Sequence, residues 1–497
     1  MHCDGHFVTG TRPRATVWPL RSGLLLATVF GAAILLSGPA QAQVNFNETL
    51  IDSGDTGTSS IIAGDFNNDG ILDLVTVNFS SLSFYRGVGD GQYAAPVNQP
   101  LAQNLGQVFA ADFDEDGKLD LAIAGVPNGT AGVVTILLGN GDGTFRQGTN
   151  LTVSGNASTI ALADFNGDHK PDIAVSDAGA YMTWIFLGKG NGKFTLSETE
   201  YYGGNTLVAG DFNADGKQDL AFSSGDGVGL LLGNGDGTIS DVIIAPLSNV
   251  QSLAVGDFYG TRIQTLAAAV SVNLGAESYD TYVYSLRYAN GELYVENQNM
   301  IGDGNALLYE YIAGGDLNGD FKMDIFLSGG FAMTGGLSSY MLGEGKGQFG
   351  AIQSVGNFIG TNTAFPLIRD LNLDSRHDVA AAWNDFLFSG GGPEVLINTN
   401  ATVNCDPPPA NKLSVNICAP KNGATVASKY TFKGAGNAFN GIAKRMELWI
   451  DGQKVAQDLE DQLKATVSLS AGPHTASFVV VDSFDNYASS SVSFAAE

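Results

Sequence analysis

The stretch "DFNNDGILDL" at Asp65–Leu74 places three aspartates between two apolar segments, Ile61–Ala63 and Val75–Val77. The flanking residues have the composition of buried β-strands, whereas the stretch between them is rich in turn-forming Asp, Asn and Gly. Carboxylates crowded into so short a loop repel one another unless something offsets their charge. The stretch therefore predicts an acidic loop between two strands, and raises the question of what occupies it.

The same stretch recurs along the chain, with start-to-start separations of 47, 52, 47, 46, 59 and 54 residues. Repetition at such a period indicates a repeat architecture in which each unit buries its faces against its neighbours. The fifth copy has lost most of its acidic residues. The later copies read DFDEDGKLDL at Asp112, DFNGDHKPDI at Asp164, DFNADGKQDL at Asp211, DFYGTRIQTL at Asp257, DLNGDFKMDI at Asp316 and DLNLDSRHDV at Asp370.

A second, glycine-rich motif keeps step with the first and follows an apolar segment each time. A glycine-rich turn between apolar segments predicts a β-hairpin. Its aspartates, Asp90, Asp142 and Asp236, are expected to accept hydrogen bonds from backbone donors in the turn. The motif reads GVGDGQY at Gly87, GNGDGTF at Gly139, GKGNGKF at Gly188, GNGDGTI at Gly233 and GEGKGQF at Gly343.

Each unit thus contains strand, acidic loop, strand, connection, strand, glycine hairpin and strand. Four strands in a period of about 45–55 residues is the size of one β-propeller blade. We therefore predict an all-β fold, a seven-bladed β-propeller over residues 43–398, followed by an Ig-like β-sandwich. The seventh unit ends at Glu394–Asn398 without a fourth strand, so Phe46–Ile51 is expected to complete it and protect its edge.

The two motifs together resemble the FG-GAP/VCBS repeat of integrin-α-type seven-bladed propellers. The resemblance covers about residues 44–400 and rests on seven copies in phase. It implies that the acidic loops bind Ca²⁺ and that the propeller mediates adhesion or recognition.

The chemistry of the first loop also favours calcium. Asp65, Asn67 and Asp69 alternate, so a tight loop turns their side-chain oxygens inward, while the carbonyl of Ile71 and the carboxylate of Asp73 complete the shell. Hard cations prefer such oxygen ligands, and a flexible loop favours Ca²⁺ over Mg²⁺. The spacing is similar to that of an EF-hand, but the closing carboxylate comes at the ninth position instead of the twelfth. The alternative is that Asp and Asn form only Asx turns.

We predict six structural calcium sites, one for each copy except the worn one. Each uses the side chains at positions one, three, five and nine of the motif and the backbone carbonyl at position seven. The predicted ligands are Asp65, Asn67, Asp69, Ile71, Asp73, Asp112, Asp114, Asp116, Lys118, Asp120, Asp164, Asn166, Asp168, Lys170, Asp172, Asp211, Asn213, Asp215, Lys217, Asp219, Asp316, Asn318, Asp320, Lys322, Asp324, Asp370, Asn372, Asp374, Arg376 and Asp378.

Two features of the repeats bear on whether these sites form. The fifth copy has Tyr259, Thr261 and Thr265 at ligand positions, so no ion is expected there. The sixth position is expected to need a positive φ, which glycine adopts without strain. Gly70, Gly117 and Gly216 fill it in three copies, whereas the third, sixth and seventh copies have other residues, His169, Phe321 and Ser375.

The first 42 residues have the pattern of a signal peptide. Three arginines precede the apolar run Leu24–Leu36, and Ala40 and Ala42 fit a small-residue cleavage site. The alternative, an uncleaved anchor, is disfavoured because the run is shorter than the ~20 residues that span a bilayer. We predict a secreted, extracellular protein, with the periplasm or cell surface as alternatives and no stable membrane insertion.

The predicted mature chain is strongly acidic. Removal of Arg12, Arg14, Arg21 and Asp4 leaves 21 basic and 50 acidic residues, a formal charge of −29. Such a surface repels nucleic acid and anionic lipid, so no nucleic-acid partner is expected.

The C-terminal part is predicted to be a separate domain. Residues 399–412 contain "CDPPPA" and are predicted to form a stiff linker. Residues 413–497 contain a series of short strand-like segments, which is typical of a β-sandwich. "MELWIDGQKV" and "GPHTASFVVVDSFDN" resemble a bacterial Ig-like domain, in which Trp449 would lie in the core. Cys405 and Cys418 are expected to form a disulfide in an exported chain.

The sequence contains no recognised catalytic motif. His169, His377 and His474 lack an evident nucleophile partner, and the clustered carboxylates are already explained as metal ligands. The first hypothesis is a calcium-stabilised recognition or adhesion protein, predicted to be a monomer, that binds an extracellular glycan or protein. The alternatives are a propeller-type polysaccharide lyase or hydrolase and a purely structural surface module. The tyrosines between Ser271 and Asn299 are expected either to pack within strands or to form a sugar platform.

Overall fold

The computed structural model describes residues 43–497, except 55–56, 130, 226, 276–277, 303–308, 332–334, 356–361, 375, 386–389, 401–404, 406–407, 409–411, 439–442 and 460. The predicted signal peptide, residues 1–42, lies outside the described residues, as does most of the predicted linker. Within the described ranges, no helix is long and apolar enough to cross a membrane. The one helical segment there is the 3-10 turn Pro127–Gly129.

The described part of residues 43–398 is built from seven antiparallel sheets of four or five strands, numbered here by the repeat that supplies their first strand, and two separate two-stranded hairpins. The first four sheets and the strand that precedes them comprise β1 (Phe46–Leu50), β2 (Ser60–Gly64), β3 (Asp73–Val77), β4 (Ser81–Tyr85), β5 (Gly87–Gly89), β6 (Gln92–Tyr93), β7 (Val97–Pro100), β8 (Leu105–Ala111), β9 (Asp120–Gly125), β10 (Gly132–Gly139), β11 (Phe145–Gln147), β12 (Leu151–Val153), β13 (Thr159–Ala163), β14 (Asp172–Asp177), β15 (Met182–Gly188), β16 (Phe194–Glu200), β17 (Thr206–Gly210), β18 (Asp219–Ser224), β19 (Gly227–Gly233) and β20 (Ile239–Ala245). The remaining three comprise β21 (Val250–Gly256), β22 (Thr265–Gly275), β23 (Ser278–Ala289), β24 (Glu292–Gly302), β25 (Tyr309–Gly315), β26 (Asp324–Phe331), β27 (Gly335–Met341), β28 (Gly343–Gly345), β29 (Gln348–Phe349), β30 (Gln353–Ser354), β31 (Asn362–Arg369), β32 (Asp378–Asp385) and β33 (Gly390–Asn398).

The sheets follow one another in a closed order. The first strand of each sheet contacts the first strand of the next, and β31 of the seventh sheet contacts β2 of the first. Hydrophobic clusters lie between neighbouring sheets, so the second strands β3, β9 and β14 are buried along their whole length. The chain is therefore an all-β protein of many small sheets, as the repeats predict.

The N-terminal strand completes the last sheet, which confirms the prediction for Phe46–Ile51. β1 pairs antiparallel with β33, from Phe46 opposite Asn398 to Leu50 opposite Glu394, and the strand order is β1-β33-β32-β31. Val44 extends this contact, because its N–H donates to the Tyr340 hydroxyl at 2.9 Å. The open edge of the seventh sheet is thus covered by residues that precede the first repeat.

The tyrosine-rich segment of the fifth repeat lies in long strands. β22, β23 and β24 form one long antiparallel meander in which Tyr284 and Tyr288 pack against the core cluster between the fourth and fifth sheets. For these two tyrosines the strand-packing prediction is confirmed, and the side chain of Tyr279 lies outside the described residues.

The C-terminal residues form two further sheets, with strand orders β34-β36-β39 and β35-β41-β40-β37-β38. They enclose a hydrophobic cluster of their own that includes Phe432, Leu448 and Phe478. Cys405 and Cys418 are bonded, as predicted. The strands are β34 (Ser414–Ala419), β35 (Thr425–Val426), β36 (Lys429–Asn437), β37 (Ala443–Ile450), β38 (Gln453–Asp458), β39 (Gln462–Ser468), β40 (Gly472–Asp482) and β41 (Tyr487–Ala496).

Trp449 does not lie in this core, so that prediction is wrong. On β37 the alternate residues Met446, Leu448 and Ile450 fill the core, which turns Trp449 to the outer face. There its Nε1–H donates to the carboxylate of Glu447 at 2.9 Å. Side chains alternate between the two faces of a strand, so burial of residues 446, 448 and 450 places Trp449 on the outer face. The indole N–H is hydrogen-bonded there.

Candidate metal centres in the acidic loops

The first aspartate of each acidic motif holds the loop by accepting backbone hydrogen bonds across it. In the first loop the two oxygens of Asp65 accept from the N–H groups of Asp69 (3.0 Å) and Gly70 (2.8 Å). Asn67 Oδ1 accepts from Asp69, and Asp69 Oδ1 accepts from Ile71, both at 2.9 Å. The side chains at positions one, three and five therefore turn toward the inside of the loop, as the sequence predicts.

The aspartate at the ninth position joins the acidic loop to the glycine hairpin of the same sheet. In the second sheet Asp120 Oδ2 accepts from Phe113 N–H at 2.8 Å and Oδ1 accepts from Gly139 N–H at 2.7 Å. The same pair of acceptors recurs at each predicted site, with both backbone donors buried. In the seventh sheet, whose repeat has no glycine hairpin, the second donor is the N–H of Asn398 on β33. The other members are Asp73, Asp172, Asp219, Asp324 and Asp378.

This contact explains why the hairpin motif opens with glycine. A Cβ on Gly139 would come within 2.2 Å of the backbone oxygen of Leu119, just before the ninth-position aspartate. Equivalent approaches of 2.1–2.2 Å occur at Gly87, Gly188, Gly233 and Gly343. Only glycine lets the two backbones approach closely enough for the aspartate to bridge them.

The ninth-position carboxylates are electrostatically costly in the absence of a counter-charge. Burial, reinforced by the nearby loop aspartates and opposed by the backbone donors, raises the pKa of Asp73, Asp120, Asp172 and Asp219 to about 7. The pKa values of Asp324 and Asp378 are raised well above the usual range by the same burial. A bound cation would favour the charged form of each of these groups.

The second loop carries the clearest arrangement for a metal ion among the described residues. One oxygen from each of Asp112, Asp114 and Asp116 lies within 4.8 Å of the others. Asp114 Oδ2 pairs with Arg146 at 3.1 Å, whereas Asp114 Oδ1 is buried and makes no hydrogen bond. A buried carboxylate oxygen without a donor is unfavourable, and a hard cation bound by these three aspartates would satisfy it.

The sixth position has the predicted left-handed backbone wherever the structure describes it. φ is 88°, 81° and 85° at Gly70, Gly117 and Gly216, and it is 62° at His169 and 65° at Phe321. Ser375 lies outside the described residues. The loops containing His169 and Phe321 therefore adopt the same conformation despite the strain that a side chain brings at positive φ.

The fourth position also has positive φ, which the sequence analysis did not anticipate. The non-glycine residues there include Asn68, Glu115, Ala214 and Leu373, with φ between 57° and 60°. Gly167, Gly260 and Gly319 occupy this position in the three other repeats, and these glycines were the available sequence signal.

The worn fifth loop keeps its shape without the closing carboxylate. Asp257 accepts from Thr261 and Arg262, as the first aspartate does elsewhere. Thr265 Oγ1 accepts from Phe258 N–H at 3.1 Å and donates to Gly256 O at 2.7 Å. A threonine thus replaces the aspartate as backbone acceptor, while only one carboxylate remains in the motif.

Residues that replace glycine at the sixth position contact the C-terminal sheets. His169 Nδ1 lies 3.2 Å from Phe484 O, and the Lys464 ammonium lies 5.4 Å above the Phe321 ring. By contrast, a Cβ on Gly117 or Gly216 would meet nothing within 4 Å. Of the residues described at this position, His169 and Phe321 thus each lie beside a C-terminal surface that they contact.

Two further contacts fix the C-terminal sheets on the loop side of the ring. The half-buried Arg369 donates to Ala63 O at 2.9 Å and to Ala438 O at 3.2 Å. His377 lies 3.1 Å from Asp316 O and 3.2 Å from an Asp461 carboxylate oxygen. Phe484 is also buried in the cluster between the second and third sheets.

The glycine hairpins show the predicted turn chemistry. Asp142 Oδ1 accepts from the N–H and hydroxyl groups of Thr144 at 3.0 and 2.6 Å, and Asp236 binds Thr238 in the same way. These aspartates are occupied within their own turns, which confirms the prediction for both.

The opposite side of the ring carries exposed tyrosines that the sequence analysis missed. Tyr181 joins β14 to β15, and Tyr201 and Tyr202 join β16 to β17, so they lie at the strand ends away from the acidic loops. Tyr181 is 52% and Tyr201 78% exposed, and Tyr181 has φ of 55°. The only sequence signal was aromatic residues in a connection that also contains glycine.

The connection that carries Tyr201 and Tyr202 is held in place. Thr183 Oγ1 donates to Tyr202 O at 2.7 Å, and Gly204 N–H donates to Ser176 Oγ at 2.9 Å. The Tyr202 ring lies 6.4 Å from the ring of Phe222. The connection is therefore anchored to the third and fourth sheets.

The repeats of this chain match a known family model over part of their length. Residues 65–123 and 112–175 match the FG-GAP-like repeat. The match covers the first three acidic loops, which begin at Asp65, Asp112 and Asp164. No curated protein sequence matches the chain.

Many solved structures are similar to parts of the chain. One is described as the structural basis of specific recognition of non-reducing terminal N-acetylglucosamine by an Agrocybe aegerita lectin. It is 18% identical, with a TM-score of 0.42, and the match covers 61% of this chain and 81% of that one. Another structure contains fibronectin(III)-like modules of Clostridium thermocellum CbhA. It is 20% identical, with a TM-score of 0.15, and the match covers 17% of this chain and 95% of that one.

Proposed function

We propose that this chain is an exported, calcium-stabilised recognition module, in which a seven-bladed β-propeller presents a glycan-binding surface and an Ig-like sandwich covers the opposite side. The propeller spans residues 43–398, the linker 399–412 and the sandwich 413–497. The FG-GAP-like repeats and the closed order of seven sheets support the propeller assignment. Two packed sheets around one hydrophobic cluster support the sandwich assignment.

Calcium is the cofactor that the loop chemistry favours. The predicted ligands are side-chain and backbone oxygens, and the unpartnered Asp114 Oδ1 lies among three aspartates in the second loop. The other predicted sites have Asn at the third position but share the same backbone hydrogen bonds. The role of the ions would be structural, since they join strands within one sheet.

The observation that carries the recognition proposal is the group formed by Tyr181, Tyr201 and Tyr202. A bulky residue at positive φ costs conformational energy, and such strain concentrates at functional sites. An exposed aromatic ring on an anchored backbone offers a flat surface for the apolar face of a sugar, with a hydroxyl group for its polar edge. The acidic loop side is already contacted by the C-terminal sheets, which leaves this side for a ligand.

The test is binding of the calcium-loaded chain to an array of glycans, followed by titration of any hit. Tyr201→Ala and Tyr181→Ala are expected to weaken binding at least tenfold, because each removes a ring that contacts the ligand. Tyr487→Ala is the matched control, since Tyr487 is 73% exposed on a C-terminal strand and should not matter.

The outcomes separate the competing functions. Binding that is lost in Tyr181→Ala and Tyr201→Ala and retained in Tyr487→Ala supports the proposal. Shortened or unsaturated oligosaccharides in the same incubation would identify a hydrolase or lyase instead. Binding to no glycan, or binding that is insensitive to Tyr181 and Tyr201, would refute glycan recognition at this surface.

A further inference from the structure

Polar groups without partners are concentrated between the sixth and seventh sheets. Among the described residues, eight buried side-chain polar atoms make no hydrogen bond, and five of them belong to Ser328, Ser338, Trp383 and Glu394. Both carboxylate oxygens of Glu394 are in this set, and Glu394 is fully buried. Such groups are rare in folded proteins because each one forfeits its interactions with water.

Strand register places these groups on facing surfaces. Phe326 and Tyr340 of the sixth sheet share one cluster with Val379 and Leu396 of the seventh. The next pair on the same face of each sheet lies two residues farther from the acidic loops. In the sixth sheet this pair is Ser328 and Ser338, and in the seventh it is Ala381 and Glu394. No register shift interrupts these pairings, so the two serines and the glutamate each lie two residues beyond the shared cluster, on the two facing surfaces.

A second carboxylate lies beside Glu394. Glu48 of β1 pairs with Leu396, two positions along from the pair Leu50–Glu394, so the two glutamates are diagonal neighbours on one face. Burial, followed by the charge of Glu48, raises the pKa of Glu394 well above its usual range. Among the described residues, Glu48 is the one charged group that shifts the pKa of Glu394, and no basic residue contributes.

Trp383 completes the group. It lies on the same face of β32 as Ala381, which pairs with Glu394, and is two residues farther along the strand. Its Nε1 is buried without an acceptor. An indole N–H is a donor only, so it suits a carboxylate oxygen that also binds a cation.

We propose that Glu394, Ser328 and Ser338 bind a hard divalent cation of the calcium class between the sixth and seventh sheets, with Glu48 supplying the second negative charge. The ligands would be carboxylate and hydroxyl oxygens, which such cations prefer. A buried carboxylate is strongly destabilising unless it is paired, and a cation provides the pairing that no basic side chain provides here. This site is separate from the acidic loops and joins two sheets instead of two strands of one sheet.

Ion counting is the direct test. Native mass spectrometry of the mature chain at fixed free calcium should show one ion fewer for Glu394→Gln than for the unmodified chain. Glu447→Gln is the matched control, because Glu447 is also buried but is paired with Arg445 and Lys454, so its ion count should not change.

Terbium luminescence adds a readout that distinguishes this site from the loops. Tb³⁺ replaces calcium and is sensitised by nearby tryptophan, so Trp383→Phe should dim the emission while leaving the ion count unchanged. Asp114→Asn should remove a loop ion but retain the Trp383-dependent emission.

Loss of one ion in Glu394→Gln together with loss of the Trp383-dependent emission supports the proposal. An unchanged ion count and emission would overturn it and leave Glu394 as a protonated acid. If Glu394→Gln does not fold, the double variant Ser328→Ala/Ser338→Ala decides: at least tenfold weaker binding of one ion supports the site, and unchanged binding overturns it.

Discussion

Removal of calcium is expected to lower the melting temperature of the mature chain by about 10 °C. The structure places six ninth-position aspartates between backbone segments of six different sheets, so each predicted ion would stabilise one acidic loop and the segment that its aspartate joins to it. With Kd ~0.1 mM and free calcium ~1 mM, each site contributes about 1.4 kcal/mol to the free energy of unfolding. Six sites give about 8 kcal/mol.

The temperature shift follows from the entropy of unfolding. At about 2.1 cal/mol/K per residue, a unit of about 350 residues has an unfolding entropy near ~0.7 kcal/mol/K, so ~8 kcal/mol corresponds to about 11 °C. The assay is differential scanning calorimetry of one preparation, first dialysed against a chelator and then reloaded with calcium.

Single-site variants show whether the loops are responsible. Asp116→Asn should lose about a sixth of the calcium-dependent shift, because it weakens one of six sites. Asp257→Asn, in the fifth loop, should keep the whole shift, since that loop is expected to bind no ion. Equal melting temperatures for the demetallated and calcium-loaded chain would refute the interpretation of the acidic loops as metal sites.

Two further predictions concern the C-terminal sheets. Arg369→Ala should lower the free energy of unfolding by about 2–4 kcal/mol in chemical denaturation, because two buried carbonyl groups lose a charged donor. Arg86→Ala is the control, because Arg86 is exposed. An equal small loss of stability in both variants would contradict this role for Arg369. His474 should titrate above its usual pKa of 6.5, because hydrogen bonds to Asp451 and Ser470 favour the imidazolium form. Its contribution to stability is then complete below pH 6.5 and is lost as pH rises through the folded-state pKa, and NMR titration should show the pKa return toward 6.5 in Asp451→Asn.

Much of the fold could be predicted because the repeats specify it locally. Apolar segments on both sides of each acidic motif became strands β2 and β3, β8 and β9, and their counterparts. The missing fourth strand of the last repeat correctly indicated that Phe46–Ile51 would pair there. These features depend on pattern and spacing, which a sequence displays directly.

Other features depend on which neighbour a residue meets, and the sequence does not contain that information by itself. Trp449 was misplaced because the face of β37 is decided by the alternation that buries Leu448. The role of Asp120 as acceptor for Gly139 needed the distance between two segments that are 19 residues apart. His169 and Phe321 looked like defects of their loops until the structure showed Phe484 and Lys464 beside them.

The pairing of β1 with β33 has a consequence for how the protein is made. During synthesis the segment 43–50 is made before the other described strands, yet its partner strand follows more than 300 residues later. The early segment must therefore wait, unpaired and available to other chains, until the last repeat has arrived. Its sequence, FNETL in β1, holds a glutamate and an asparagine among few apolar residues, which limits aggregation during that delay.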